Sequence, residues 1–494
     1  MTTSRSSAPC RRSSRRHGAE FLAAVWVAAG VALCAAPASA TPGSRAPQTV
    51  ELPAPVAAAL RAAQVSTNDV AIVVQPLADD GLRLALNAHT PMNPASTMKL
   101  VTTYAGLQIL GPAYSWRTEV FVTGALRRDV LDGALTLRGG GDPKLVIENL
   151  WLLVQRVRGY GIREIRGDVV LDKSAFELST IDASAFDVNE LRPYNAAPDA
   201  LLVNFKAVTF GFVPDFDSRV ARVVVTPALA GMAVPAAVRL ADGGCGDWRA
   251  RLQGDFADPM KPQFRGAYPA SCGERVWPVS VLSHNAYFEA VFRALWESAG
   301  GSWSGRVRDG TVGADARRVA VHESEPLAQV IRDINKNSNN VMARQLLLTL
   351  AAETQGRPGS TARGAAAVKS GLASRGLELP ELIIENGAGL SRLERISADG
   401  LARLLRHAFA SAWMPELMSS LPVVGLDGTM KNRNGAAFSA HIKTGLLADV
   451  RAIAGYVLAA SGKRYVVVAL INHPNAGAAQ PAHDALLEWV YRNG

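Results

Sequence analysis

Apolar residues repeat along this chain with two periods, and the changes of period mark its organisation. Residues 51–64 are Ala-rich with helical spacing. Residues 70–76 and 82–87 are short apolar runs across Ala78-Asp79-Asp80-Gly81, which predicts a strand pair. Residues 98–110 (MKLVTTYAGLQIL) are apolar at helical spacing, with Pro94 suited to a first helical turn. From Trp116 the texture shifts to short alternating runs between Gly and Asp turns. Strands are expected at 118–122, 134–138, 168–171, 201–212 and 220–226, with one helix at 145–158 and long Pro/Gly/Asp loops to about residue 275. Helical spacing returns at 285–298, 326–336, 340–352, 362–374 and 398–411. Three apolar runs, 439–443, 452–460 and 464–472, read as neighbouring strands before a last helix at 482–491. The simplest architecture is one α/β domain built from both chain ends (41–115 and 276–494) with a β-rich insertion (116–275) between them.

The first 40 residues read as an export signal. Arg5, Arg11, Arg12, Arg15 and Arg16 form a basic start, residues 21–36 are apolar, and Ala38-Ser39-Ala40 is a cleavage pattern before Thr41. The apolar stretch is short for a membrane span, so no transmembrane anchor is expected after cleavage. Loose association with a membrane surface is compatible with this. The formal charge of +9 is partly the signal's, which carries those five arginines against Glu20. No Lys/Arg cluster is interleaved with aromatics, which argues against nucleic acid as a partner. A mild positive balance suits an anionic wall polymer. Cys10 and Cys34 leave with the signal. Cys245 and Cys272, flanked by Gly244, Gly246 and Gly273, most simply close a loop as one disulfide in an exported chain, the alternative being two free thiols. The eight histidines show no metal-ligand spacing, so neither a metal nor another cofactor is expected.

The chemistry lies in three short motifs. Ser96 and Lys99 stand three apart where a helix begins, so the lysine amine reaches the serine hydroxyl. A serine is a weak nucleophile until a base takes its proton, and a lysine in apolar surroundings loses its charge and becomes that base. Ser338-Asn339-Asn340 supplies S-x-N, and Lys443-Thr444-Gly445 supplies K-T-G. Ser-x-x-Lys, S-x-N and K-T-G in this order form the signature of penicillin-recognising serine enzymes.

With these motifs the chain resembles the low-molecular-mass class C penicillin-binding proteins, exported D-alanyl-D-alanine carboxypeptidases and endopeptidases. The resemblance covers nearly all of the chain after the signal. The long interval from Ser96 to Ser338 is where that family carries an insertion. Residues 139–145 (GGGDPKL), Cys245-Gly246-Asp247-Trp248 and 387–392 (GAGLSR) look familial too. Two positions depart: Asn386 stands where an Asp is expected, and Ala388 replaces a common Ser.

The resemblance implies an α/β (α+β) fold of the penicillin-binding-protein and serine β-lactamase type with a large β-rich insertion. It implies Ser96 as nucleophile, Lys99 as base and Ser338 as proton carrier. Asn340 would bind peptide and hold Lys99, and Lys443 with Thr444 would bind the terminal carboxylate of D-Ala-D-Ala. Gly445 would allow close approach of the substrate backbone. The amides of Ser96 and Leu446 would face the oxyanion, and Arg392 and Glu190 the stem-peptide side chain. It further implies peptidoglycan stem peptides as substrates, β-lactams as covalent inhibitors and a periplasmic location. The competing readings are a serine β-lactamase and a catalytically silent wall-binding scaffold.

Overall fold

A computed structural model describes residues 51–78, 84–177 and 191–494. The export signal, part of the 78–81 turn and Glu190 lie outside the described residues.

The two chain ends build one five-stranded antiparallel sheet. Its strands run in the order Ala440–Leu447, Val450–Leu458, Arg464–Asn472, Val70–Pro76, Leu84–Leu86. The middle strands read as unbroken apolar runs because both faces are covered. Ala71, Val73, Ala454 and Val468 face a core with the helices Met98–Leu110, Leu327–Lys336, Asn340–Gln355 and Ala398–Phe409. Val70, Ile72, Ile453 and Val467 face the helices Ala54–Ala62 and Gln480–Asn493. The expected meander of three strands is present, with its first strand extended to Leu447.

Met98–Leu110 is buried from Met98 to Leu107. A helix apolar all round belongs inside a core, and this one runs through the centre of the first face.

The insertion has its own core, drawn from residues between Val120 and Ala320. One of its sheets orders Val307–Asp309, Val169–Asp172, Leu135–Gly139, Arg117–Val122 and Arg317–Glu323. The boundary expected near residue 275 is therefore too early. The helix His284–Ser298 buries Tyr287, Phe288 and Trp296 in the insertion's core, and Arg317–Glu323 pairs with Arg117–Val122. Helical period alone does not say which core a helix joins.

The strand expected over 201–212 also begins later, at Val208. Asn204, Phe205 and Lys206 all have positive φ (47°, 52° and 56°), which breaks extended structure before Val208. Cys245 and Cys272 are joined. Around them Phe212 stacks on Tyr268, and Trp248 meets Tyr268 and Trp277 edge-on.

Candidate active site

Ser96 sits on a single 3-10 turn, Ala95–Thr97, that feeds the helix Met98–Leu110. The serine is thus one turn before the helix proper, still beneath Lys99. The turn is held from both sides. Ala95 has φ +44°, and its amide donates to Asn93 Oδ1 at 2.9 Å. Asn93 donates through Nδ2 to the Ser391 carbonyl at 2.8 Å, and the Asn472 side-chain amide donates to the Asn93 carbonyl at 3.0 Å. A non-glycine residue in the left-handed region persists only where its surroundings over-determine it.

Lys99 is completely buried. Its ammonium group lies 2.9 Å from Ser96 Oγ, 2.6 Å from Asn340 Oδ1 and 2.5 Å from the Ala388 carbonyl. Burial pushes its pKa well below the ordinary lysine value, and the Lys443 and Arg344 charges push the same way, while Glu394 opposes them. A lysine so placed is set up to be neutral and to accept the Ser96 proton.

Ser338 and Asn340 come from the junction of Leu327–Lys336 with Asn340–Gln355. The N-cap of the second helix is neither of them but Asn339, whose side chain accepts the Met342 amide at 3.0 Å. That leaves the flanking side chains for the cleft. Ser338 has φ +55°.

Lys443 is also fully buried, on the edge strand Ala440–Leu447. It donates to Ser338 Oγ at 2.9 Å and to the Thr444 carbonyl at 2.8 Å. Burial lowers its pKa to about 7. The Thr444 hydroxyl donates to Thr429 Oγ1 at 2.8 Å. Gly445 has a reason the motif does not show. A Cβ there would stand 2.7 Å from the Pro94 carbonyl and 3.0 Å from the Ala95 methyl, so glycine lets the edge strand lie against the nucleophile turn.

A cleft of about 990 Å³ opens over this group, lined among others by Ser96, Ser338, Asn340, Thr444, Leu446 and Arg392. Arg392 is half-exposed at its mouth and pairs with Asp449 at 2.6 Å. Glu190 lies outside the described residues. Sequence reasoning misses the parts that hold Lys99 from behind. Ala388 supplies a carbonyl, and Asn386 closes the loop by accepting the Ala388 amide (2.9 Å) and donating to the Leu390 carbonyl (2.8 Å). An Asp at 386 could do only the first. These roles need no particular residue spacing, so the departure at Asn386 is the one signal in the sequence that points to this loop.

Comparisons with known proteins place this arrangement. Residues 52–492 match the D-Ala-D-Ala carboxypeptidase 3 (S13) family. The D-alanyl-D-alanine carboxypeptidase of Actinomadura sp. (strain R39) is 30% identical over 420 residues, 80% of this chain and 76% of that protein. D-alanyl-D-alanine carboxypeptidase DacB of Haemophilus influenzae is 27% identical over 399 residues, 79% of this chain and 82% of that protein. The crystal structure of penicillin binding protein 4 (dacB) from Haemophilus influenzae superposes with a TM-score of 0.73 at 23% identity, covering 88% of this chain and 99% of that one. A structure of that protein complexed with a β-lactam gives 0.68 at 24% identity, covering 86% and 96%. The fold is thus that of the penicillin-binding proteins, and the chain is a serine peptidase that belongs to the D-Ala-D-Ala carboxypeptidase 3 (S13) family.

Proposed function

We propose that this protein is an exported, periplasmic DD-peptidase that cleaves D-Ala-D-Ala ends, and D-Ala-diaminopimelate cross-links, of peptidoglycan through an acyl-enzyme on Ser96. The observation that carries the reading is the buried Lys99 ammonium nitrogen 2.9 Å from Ser96 Oγ. Neutral Lys99 takes the hydroxyl proton as Oγ attacks the penultimate D-Ala carbonyl. The amides of Ser96 and Leu446 stabilise the oxyanion. Ser338, bridged to Lys443, passes a proton to the leaving amine, and water then hydrolyses the ester with Lys99 again as base. Asn340 orients the peptide and Lys99. Cationic Lys443 and the Thr444 hydroxyl bind the terminal carboxylate. Arg392 and Glu190 face the stem-peptide side chain, where Arg392 exchanges Asp449 for a substrate carboxylate.

A β-lactam offers a strained amide to the same nucleophile and is expected to acylate Ser96 covalently. Peptide mapping after penicillin treatment tests this: the adduct is expected on the peptide containing Ser96. Stoichiometric labelling of Ser96→Ala would sink the proposal. Incubation with purified muropeptides, with products identified by mass, then separates loss of terminal D-Ala from opening of cross-links.

A further inference from the structure

Behind the nucleophile pair lies a carboxylate that no motif accounts for. Glu394 is 0% exposed. Its Oε1 accepts three consecutive backbone amides, from Glu385 (3.1 Å), Asn386 (2.9 Å) and Gly387 (2.8 Å). Three N–H groups converging on one oxygen fit an ionised carboxylate. The turn they fix is joined to the helix Met98–Leu110 twice, through the Thr102 hydroxyl to the Gly387 carbonyl (2.7 Å) and through Lys99 to the Ala388 carbonyl. Its next residue touches the nucleophile. Gly389 has φ +79°, and a Cβ there would stand 1.9 Å from the Ala95 carbonyl oxygen and 2.6 Å from the Ser96 nitrogen. Glu394 therefore sets one of three acceptors of Lys99 and the wall against which the Ser96 backbone rests.

The charge matters as well as the shape. Three charged groups face Lys99: Lys443 from the edge strand, Arg344 from the helix Asn340–Gln355, and Glu394 from the loop. Glu394 is the only anion of the three. Glu394 Oε2 and Arg344 Nε are both buried without a hydrogen-bond partner. Arg344 in turn is influenced by Glu394 and Glu385. The Asp expected at 386 is absent in this chain, and Asn386 in its place keeps the loop closed without adding a second negative charge beside Glu394.

We propose that Glu394 is a positioning residue for the Ser96–Lys99 pair: it fixes the 385–389 turn that holds Lys99 and backs Ser96, and its negative charge sets the protonation of Lys99. This rests on the DD-peptidase reading, and the test separates the two. Acylation of the full mature protein by a fluorescent penicillin is timed from pH 5 to pH 10 for wild type, Glu394→Gln and Glu394→Asp, alongside thermal unfolding. Labelling of wild type at Ser96 tests the parent reading alone. Glu394→Gln keeps an acceptor oxygen and removes the charge. Because Glu394 raises the Lys99 pKa, its neutralisation is expected to move the acid limb to lower pH, with a plateau about tenfold lower as the base weakens. Glu394→Asp keeps the charge but is one methylene short of the three amides. It is expected to lower the plateau while the acid limb stays in place, and it carries the test where Glu394→Gln does not fold. A wild-type plateau and acid limb in the folded variants, or a lower plateau in Glu394→Gln with an unmoved limb and a lower unfolding temperature, overturns the proposal.

Discussion

The catalytic region and the insertion both bury charge, and they do it in opposite ways. In the insertion the buried charges are neutralised. Lys173 lies 3.2 Å from both Asp199 and Asp309 and donates to Asn285. Glu119 takes Arg138 and Arg318 together. In the catalytic region Lys99 and Lys443 are more deeply buried, yet among the described residues their hydrogen-bond partners are hydroxyls, an amide and carbonyls rather than carboxylates. Burying a cation without a counter-charge costs stability and shifts its pKa. Paired burial is the pattern of a scaffold, and unpaired burial that of groups kept ready to change protonation.

The sharpest way to break this comparison is Lys99→Ala. Removal of the base is expected to slow acylation of Ser96 by about 10⁴-fold, measured by rapid-mixing kinetics. No loss of thermal stability should accompany it, because an unpaired buried charge leaves with the side chain. A variant that is both slow and markedly less stable would show that Lys99 serves packing.

The converse experiment removes the disulfide. Its cysteines are 27 residues apart, and a loop of that size contributes about 3 kcal/mol by chain entropy. Replacing Cys245 and Cys272 with Ser is expected to lower stability in denaturant titrations by about that amount, with the Ser96 acylation rate unchanged within about twofold. A large loss of acylation would mean that the insertion's staple also shapes the cleft.

Lys443 gives the smallest effect and the finest discrimination. Lys443→Ala is expected to reduce kcat/KM for a peptide acid by about 1.5–3 kcal/mol, and far less for the C-terminal amide. Equal losses on both would remove Lys443 from carboxylate binding. The pH profile supplies a second reading. With a pKa of about 7, Lys443 is cationic below that pH and neutral above it. In wild type, kcat/KM for the acid should therefore fall as pH rises through about 7, and the amide should show no such limb. Lys99 acts with the opposite sign, since its neutral form is the base and activity is lost as pH falls.

Much of this molecule is legible in its amino-acid sequence. The run 464–472 (RYVVVALIN) has no alternation because it is covered on both faces, and it forms the strand Arg464–Asn472 that its texture predicts. Ser96, Lys99, Ser338, Asn340 and Lys443 stand in three motifs, and the fold gathers them around one cleft. The limits are equally physical. Nothing in 285–298 distinguishes a helix of one core from a helix of its neighbour, so the sequence puts the end of the insertion near 275 although its sheet runs to Glu323. The motif assigns Arg392 to substrate, while its present partner Asp449 is 57 positions away.

The sequence by itself determined the strand and helix periods, the three motifs in order and the cysteine pair, because each is written within a few neighbouring residues. The tertiary structure alone decided the rest. It made Asn339 the cap and so turned Ser338 and Asn340 to the cleft, gave Gly445 and Gly389 their close approaches to the Pro94–Ser96 backbone, and set Glu394 behind Lys99. Those are through-space relations between segments as far apart as Lys99 and Ala388, 289 positions. They depend on how two buried faces and a loop meet, which neither local propensity nor periodicity encodes.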